Sequence, residues 1–324
     1  MTPKTCFAAA LAIVALAPAW ALAQAQTYPD KPIKFIVPVA AGGTTDVIAR
    51  VIGARLTTAW GQPVVVDNRA GGSGIPATEM AVRSKPDGYT YFLGTIGTLT
   101  VNQSMFTNLS YDPNRDFTPV TLIAAAPTML VVNPSLPIHS VKDLIAYGKA
   151  NPGKLNFPSP GNGTSPHLAG ELFKSLAGID AVHVPYKGAA PALTDLIAGR
   201  VHFMFDNIIT SLPHVKDGRL RALAVTSTTR SKLVPDLPTM AEAGLPGQEI
   251  SGWVGIVAPT GTPPEIVAKM QAEIAKQLKE PGVAEKIVGA EAVGNTPEQF
   301  GVFLRSETAK WGKLVKEANI RPAD

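Results

Sequence analysis

The feature that most constrains the fold is an alternation met again and again along the chain: a short apolar run, a glycine-bearing turn, a helical stretch. Residues 33–38 form an apolar run rich in β-branched side chains that stops before Gly42-Gly43. Thr44 or Thr45 can cap the helix that follows. Its apolar residues Val47, Ile48, Val51, Ile52 and Leu56 recur at three- and four-residue spacing to about Trp60. A second run at 63–66, the turn Gly71-Gly72-Ser73-Gly74, a helix through Met80 and Val82, the tight turn Pro86-Asp87-Gly88 and a third run at 89–94 complete the unit. This βαβαβ order predicts a parallel sheet with helices on both faces.

A second unit begins near Ala125, with strands expected at 128–132, 154–158, 181–184, 201–205 and 221–226. Helices are expected after the Ser140 cap, through Leu168, Leu172, Phe173 and Leu176, and over 188–198. Beyond Arg230 the character changes. A Pro- and Gly-rich connection at 235–247 leads to an apolar strand at 253–257 and three helical stretches at 264–278, 281–287 and 297–318. The last is amphipathic, with Phe300, Phe303, Leu304, Trp311, Leu314 and Val315 on one side. Two α/β lobes follow: 24–124 with 229–324 as one, 125–228 as the other.

The first 23 residues read as a separate object. Lys4 precedes an apolar stretch over 7–18, too short to span a bilayer, and Ala21-Leu22-Ala23 is a small-residue cleavage site. A cleaved leader predicts export. The single cysteine, Cys6, lies before the apolar stretch and would leave with it, as would Lys4, taking the formal net charge of +4 to +3. The mature chain would then rely on its core alone, which a length of about 300 residues permits. Basic residues are scattered rather than clustered, which speaks against nucleic acid as a partner.

Chemistry-bearing residues gather where strands feed helices. Gly43, Thr44 and Thr45 stand at one such start, where exposed N–H groups attract an anion and glycine lets it approach the backbone. Asp46 belongs to the first helical turn, supporting the start rather than facing a ligand. Gly163, Thr164, Ser165 and His167 form a similar turn in the second unit, with Pro166 suited to the first helical turn. His167 either donates to a carboxylate or is held inside its own helix. Thr95 and Thr98 follow the third strand. Asp206, at another strand end, either accepts from a ligand or caps the next helix. Lys187 could add positive charge at the mouth. The turn at 42–46 lacks the G-x-G-x-x-G spacing of dinucleotide sites. No G-x-S-x-G, no H-E-x-x-H and no metal-ligand spacing among the five histidines occurs, so neither cofactor nor metal is expected. A Ser165/His167/Asp206 hydrolase can be drawn, but residues two apart on a helix do not face each other.

Motifs in order along the mature chain carry a resemblance. Tyr28-Pro29-Asp30-Lys31-Pro32-Ile33, Val37-Pro38-Val39-Ala40-Ala41-Gly42-Gly43-Thr44-Thr45-Asp46, Gly61-Gln62-Pro63, Pro86-Asp87-Gly88-Tyr89, His183-Val184-Pro185-Tyr186-Lys187-Gly188 and Pro238-Thr239-Met240 are similar to motifs of the tripartite tricarboxylate transporter substrate-binding proteins, the Bug family of periplasmic receptors. The chain departs from many relatives at Ala70 and Ala77 in its Gly-rich turn, and at Lys85. The resemblance implies an α/β, two-lobed periplasmic binding protein of the type II, Venus-flytrap kind, with parallel-rich sheets flanked by helices. It also implies a small carboxylate ligand (di- or tricarboxylate, aromatic acid or acidic amino acid) held by backbone amides, hydroxyls and water, no catalysis, and a membrane transporter or sensor system as partner. A monomer is the expected state.

Overall fold

The computed structural model describes residues 28–287, 291–317 and 320; the leader and its cleavage site lie outside them. β1 (Ile33–Val37), α1 (Thr44–Trp60), β2 (Val64–Asn68), α2 (Ile75–Val82) and β3 (Thr90–Thr95) form the first unit, with β1 parallel to β2 on one side and to β3 on the other. A π-helical turn, Gly97–Val101, runs into α3 (Asn102–Met105), and α4 (Pro113–Asp116) precedes β4 (Phe117–Val132). The second unit follows: α5 (Val141–Ala150), β5 (Leu155–Ser159), α6 (Ser165–Ala177), β6 (Ala181–Pro185), α7 (Ala189–Ile197), β7 (Phe203–Asn207), α8 (Ile208–Lys216) and β8 (Arg221–Val225). The chain then returns through β9 (Ser251–Pro259), α9 (Pro264–Leu278), α10 (Val283–Lys286), β10 (Glu291–Ala292) and α11 (Pro297–Glu317).

β4 organises the molecule. From Phe117 to Pro127 it lies antiparallel to β9, which in turn pairs with β3. From Thr128 to Val132 it exchanges that partner for β7 on one side and β8 on the other. One 16-residue strand therefore belongs to the sheets of both lobes. Only its last five residues, 128–132, are expected from the sequence. The stretch before them carries Pro119, Pro127 and three consecutive alanines, a poor strand signal. Register shifts after Pro119 and after Leu122 absorb the irregularity. Among the described strands, parallel ladders join β1 to its neighbours and β5 to β6, so the sheets are mixed, antiparallel where the chain passes between lobes.

Strand alternation sorts the core. Ile33, Phe35 and Val37 pack with Ile48, Ile52, Met270 and Ile274 of α1 and α9, while Ile36 points to the other face, toward Phe92, Trp253 and Phe300. In the second lobe Phe157, Phe173, Phe203 and Phe205 stack on the α6 side of the sheet. Each such side chain, fully buried, contributes roughly 1.5–3 kcal/mol. The amphipathic C-terminal stretch is helical as expected, with Phe300, Leu304, Trp311 and Val315 buried.

Candidate functional site

α1 begins under tight local control. Gly42 adopts φ +82°, a conformation other residues rarely take, and Gly43 occupies the N-cap position with Thr44 and Thr45 buried behind it. Asp46 accepts from the Gly42 N–H at 2.9 Å, from Arg50 Nε at 3.0 Å and from Asn68 Nδ2 at 2.9 Å. Burial alone would raise its pKa; these bonds outweigh it and hold the carboxyl below its ordinary value. Asp46 thus braces the turn, as expected. The first intrahelical bond is Val47 N to Gly43 O, so the N–H groups of Thr44, Thr45 and Asp46 precede the helix ladder.

α6 repeats the arrangement in the second lobe. Thr164 is the N-cap residue; its Oγ1 donates to Gly161 O at 2.7 Å, and Leu168 N donates to its carbonyl. Gly163 N–H donates to His167 Nδ1 at 3.0 Å, so the imidazole proton sits on Nε2, turned toward Glu171. The His167 ring is buried and stacks on His183, ring centres 3.9 Å apart, and His183 Nε2 lies 2.7 Å from Ser159 Oγ. Burial, with Lys174 nearby, pushes His167 down to about 4. Burial, then His167 and Lys174, pushes His183 down to about 2. Both rings are neutral spacers behind the loop.

Between the two helix starts lies a chamber enclosing about 620 Å³, its opening included. Gly43, Thr44, Thr45 and Thr95 line it from the first lobe, Thr164 and Ser165 from the second. Thr95 and Thr164 also border an outer chamber of about 760 Å³, where Thr98, the turn Gly71–Gly74 and Lys187 stand. Thr98 Oγ1 accepts from the Thr95 N–H at 3.0 Å and so ties the π-helical turn to the end of β3. The described lining residues of both chambers include no carboxylate, and Lys187 is the one full charge among them. Thr44 Oγ1 and Asn207 Oδ1, both buried at the inner chamber, have no hydrogen-bond partner among the described residues. A buried polar atom left unpaired is costly, and two on residues lining one chamber suit a polar guest that completes the bonding.

Three sequence-based candidates do not line either chamber. Gly163 and His167 stand one layer behind the Thr164 loop, the second of the two readings open for His167. Asp206 is fully buried beneath the end of β7, its Oδ2 accepting from Thr210 Oγ1 at 2.5 Å. Burial drives its carboxyl up to about 7 against the bonds from Thr210, the Asn207 N–H and Ser211. The neighbour Asn207 reaches the chamber instead. Adjacent strand residues face opposite ways, and sequence alone leaves the parity open. Trp253 and Ile96 complete the wall; the former was legible only as part of an apolar strand. The hydrolase geometry does not form, since His167 Nδ1 is engaged by Gly163 N–H and Asp206 by Thr210.

The lobes touch at their rims. A Cβ on Gly97 would meet Gly163 O at 2.8 Å, and one on Gly188 would meet Ala40 Cβ at 3.1 Å. Two α/β lobes closed over a chamber with a helix start on either side define a two-lobed solute-binding protein. The chain belongs to the tripartite tricarboxylate transporter family of receptors, whose family model matches residues 48–320. It is similar to the Bordetella pertussis protein BugT, 39% identical over 92% of each chain. Among solved structures it resembles R. palustris Rpa4515 with adipate, at 41% identity and a TM-score of 0.89, covering 91% of this chain and 100% of that one. It also resembles MatC from Rhodopseudomonas palustris with bound malate, at 32% identity and a TM-score of 0.84, covering 89% and 100%. Among the described residues, no helix is long and apolar enough to cross a membrane.

Proposed function

We propose that this chain is a periplasmic receptor that captures a small carboxylate between its lobes, without catalysing its conversion, and delivers it to a membrane transporter of the tripartite tricarboxylate kind. The observation that carries the reading is the inner chamber: two helix starts, the unpaired Thr44 hydroxyl, and no carboxylate among the described lining residues. Such a surface supplies dipoles and donors to an anion and no competing negative charge. The acids named with the two similar structures, adipate and malate, support a dicarboxylate as the first candidate. The lobes are proposed as 24–124 with 229–324 against 125–228. The change of β4 partners at Pro127/Thr128 and the connection after β8 support crossings there. Export through the leader over 1–23 and a monomeric state belong to the same reading.

The experiment is a thermal-shift screen of residues 24–324 against mono-, di- and tricarboxylates, aromatic acids and acidic amino acids. Ligand at a hundredfold excess over its dissociation constant adds about 2.7 kcal/mol to apparent stability. A clear rise with one acid class is expected. A flat response across the panel, repeated on refolded protein, overturns the reading.

A further inference from the structure

The apolar side of the inner chamber is made by Trp253 together with Ile48, Ile96 and Val254. Trp253 sits on β9 opposite Ala125 of β4 and is almost wholly buried. An indole in a wall can present face or edge, and a buried N–H that needs a partner decides between them. Trp253 Nε1 donates to Glu307 Oε2 on α11 at 2.8 Å. The same oxygen accepts from Trp311 Nε1, one turn further along that helix, at 2.7 Å. One carboxylate oxygen therefore ties two indoles, each bond strengthened by its charge.

The surroundings reinforce this tie. Phe303 meets the Trp253 ring edge-on at 5.4 Å and Phe300 does so at 6.3 Å. Lys310 Nζ lies 4.6 Å from the centre of the Trp311 ring. The same helix backs the chamber's neighbouring wall, for a Cβ on Gly312 would come within 3.0 Å of Ser104 Oγ, just past the π-helical turn that carries Gly97 and Thr98. Glu307 itself lines neither chamber.

We infer that Glu307 is a positioning residue for the binding chamber: through Trp253 Nε1 it fixes the plane of the indole against which the carbon chain of the bound acid lies. The ligand part rests on the receptor reading above; the indole geometry does not. The test uses residues 24–324 with ¹⁵N-labelled tryptophan, comparing wild type, E307A and E307Q, with Trp253→Phe assigning the Trp253 indole resonance. Adipate is the calorimetric probe, replaced by the panel acid with the largest thermal shift if wild type does not bind adipate.

In E307A the Trp253 and Trp311 indole N–H resonances move upfield while that of Trp60 stays, and adipate affinity falls about tenfold. E307Q keeps an acceptor oxygen and restores affinity to within about threefold of wild type. An E307A protein that melts earlier but keeps its Trp253 resonance and its affinity overturns the inference, as does an E307Q protein as weak as E307A. Should E307A not fold, Trp253→Phe keeps a ring and lacks the N–H, and unchanged affinity in that variant overturns it too. If wild type binds no acid of the panel, the receptor reading fails alone, and the Trp253 resonance in E307A still decides the positioning role.

Discussion

At the scale of single residues, the chamber sets hydroxyls and titratable groups to opposite tasks. Thr44 Oγ1 is unpaired in the protein's own bonding, so Thr44→Val removes a desolvated group that only a ligand satisfies. The ligand-free protein is expected to melt no lower than wild type, while acid affinity drops by about 1 kcal/mol or more; calorimetry beside a melting curve reads both. Asp206 and the His167/His183 pair act on stability with opposite signs. Asp206 has a folded pKa of about 7, above its ordinary value, so its favourable contribution is full at low pH and lost as pH rises through 7. Asp206→Asn is therefore expected to gain on wild type as pH climbs from 5 to 8, read by urea unfolding. The histidines are depressed to about 4 and about 2, so their contribution is present above 6.5 and lost as pH falls below it. In wild type two histidines oppose one aspartate, and stability is expected to decline from pH 6.5 to 4; Asp206→Asn steepens that decline.

At the scale of elements, most of the longer helices and their starts were legible, and most of the longest described strand, β4, was not. Turn chemistry at Gly42-Gly43-Thr44 and at Gly163-Thr164-Ser165-Pro166 is local, so the sequence exposes it. β4 forms because β9, β7 and β8 pair with it from far along the chain, a contribution that no window around Pro119 or Pro127 contains. The same limit applies within the site. His167 and Asp206 have the chemistry of ligands, yet one faces its own loop and the other its own helix, directions set by tertiary packing. Trp253 shows no sign of a wall role in its own stretch of sequence, since its partner, Glu307, is 54 positions away. α11 secures this wall through Phe300, whose ring tip occupies the space a Cβ on Gly255 would need, 2.1 Å from it. Phe300→Ala is expected to cost about 3–5 kcal/mol in urea unfolding, since a fully buried ring leaves a cavity that β9 cannot fill.

At the scale of the whole molecule, closure depends on backbone meeting backbone. Gly97 and Gly163 approach so nearly that one added methyl would strike a carbonyl oxygen, which cannot rotate aside as a side chain does. Gly97→Ala lies in helical backbone that alanine accepts, so the protein is expected to fold. Its lobes would be held apart: acid affinity is expected to fall, and the contraction expected in small-angle scattering on adding acid to wild type to disappear. A wild-type scattering curve that does not change with a tightly bound acid would show instead that the lobes stay closed throughout.

The sharing of β4 between both sheets bears on how such motion can proceed. A continuous strand resists shear along its length, because sliding one lobe past the other would break its hydrogen-bond ladders with β9, β7 and β8 together. It yields to torsion and gentle bending, which each ladder accommodates by small changes in twist. The molecule is thus built like a torsion bar with a jaw at either end: the softest displacement turns the rims at Gly97 and Gly163 away from each other while the material around Pro127 scarcely moves. A guest is then expected to enter and leave from the side remote from Pro127, and stiffening β4 at its partner exchange, beyond Ala124 at the chamber wall, is expected to lengthen its stay.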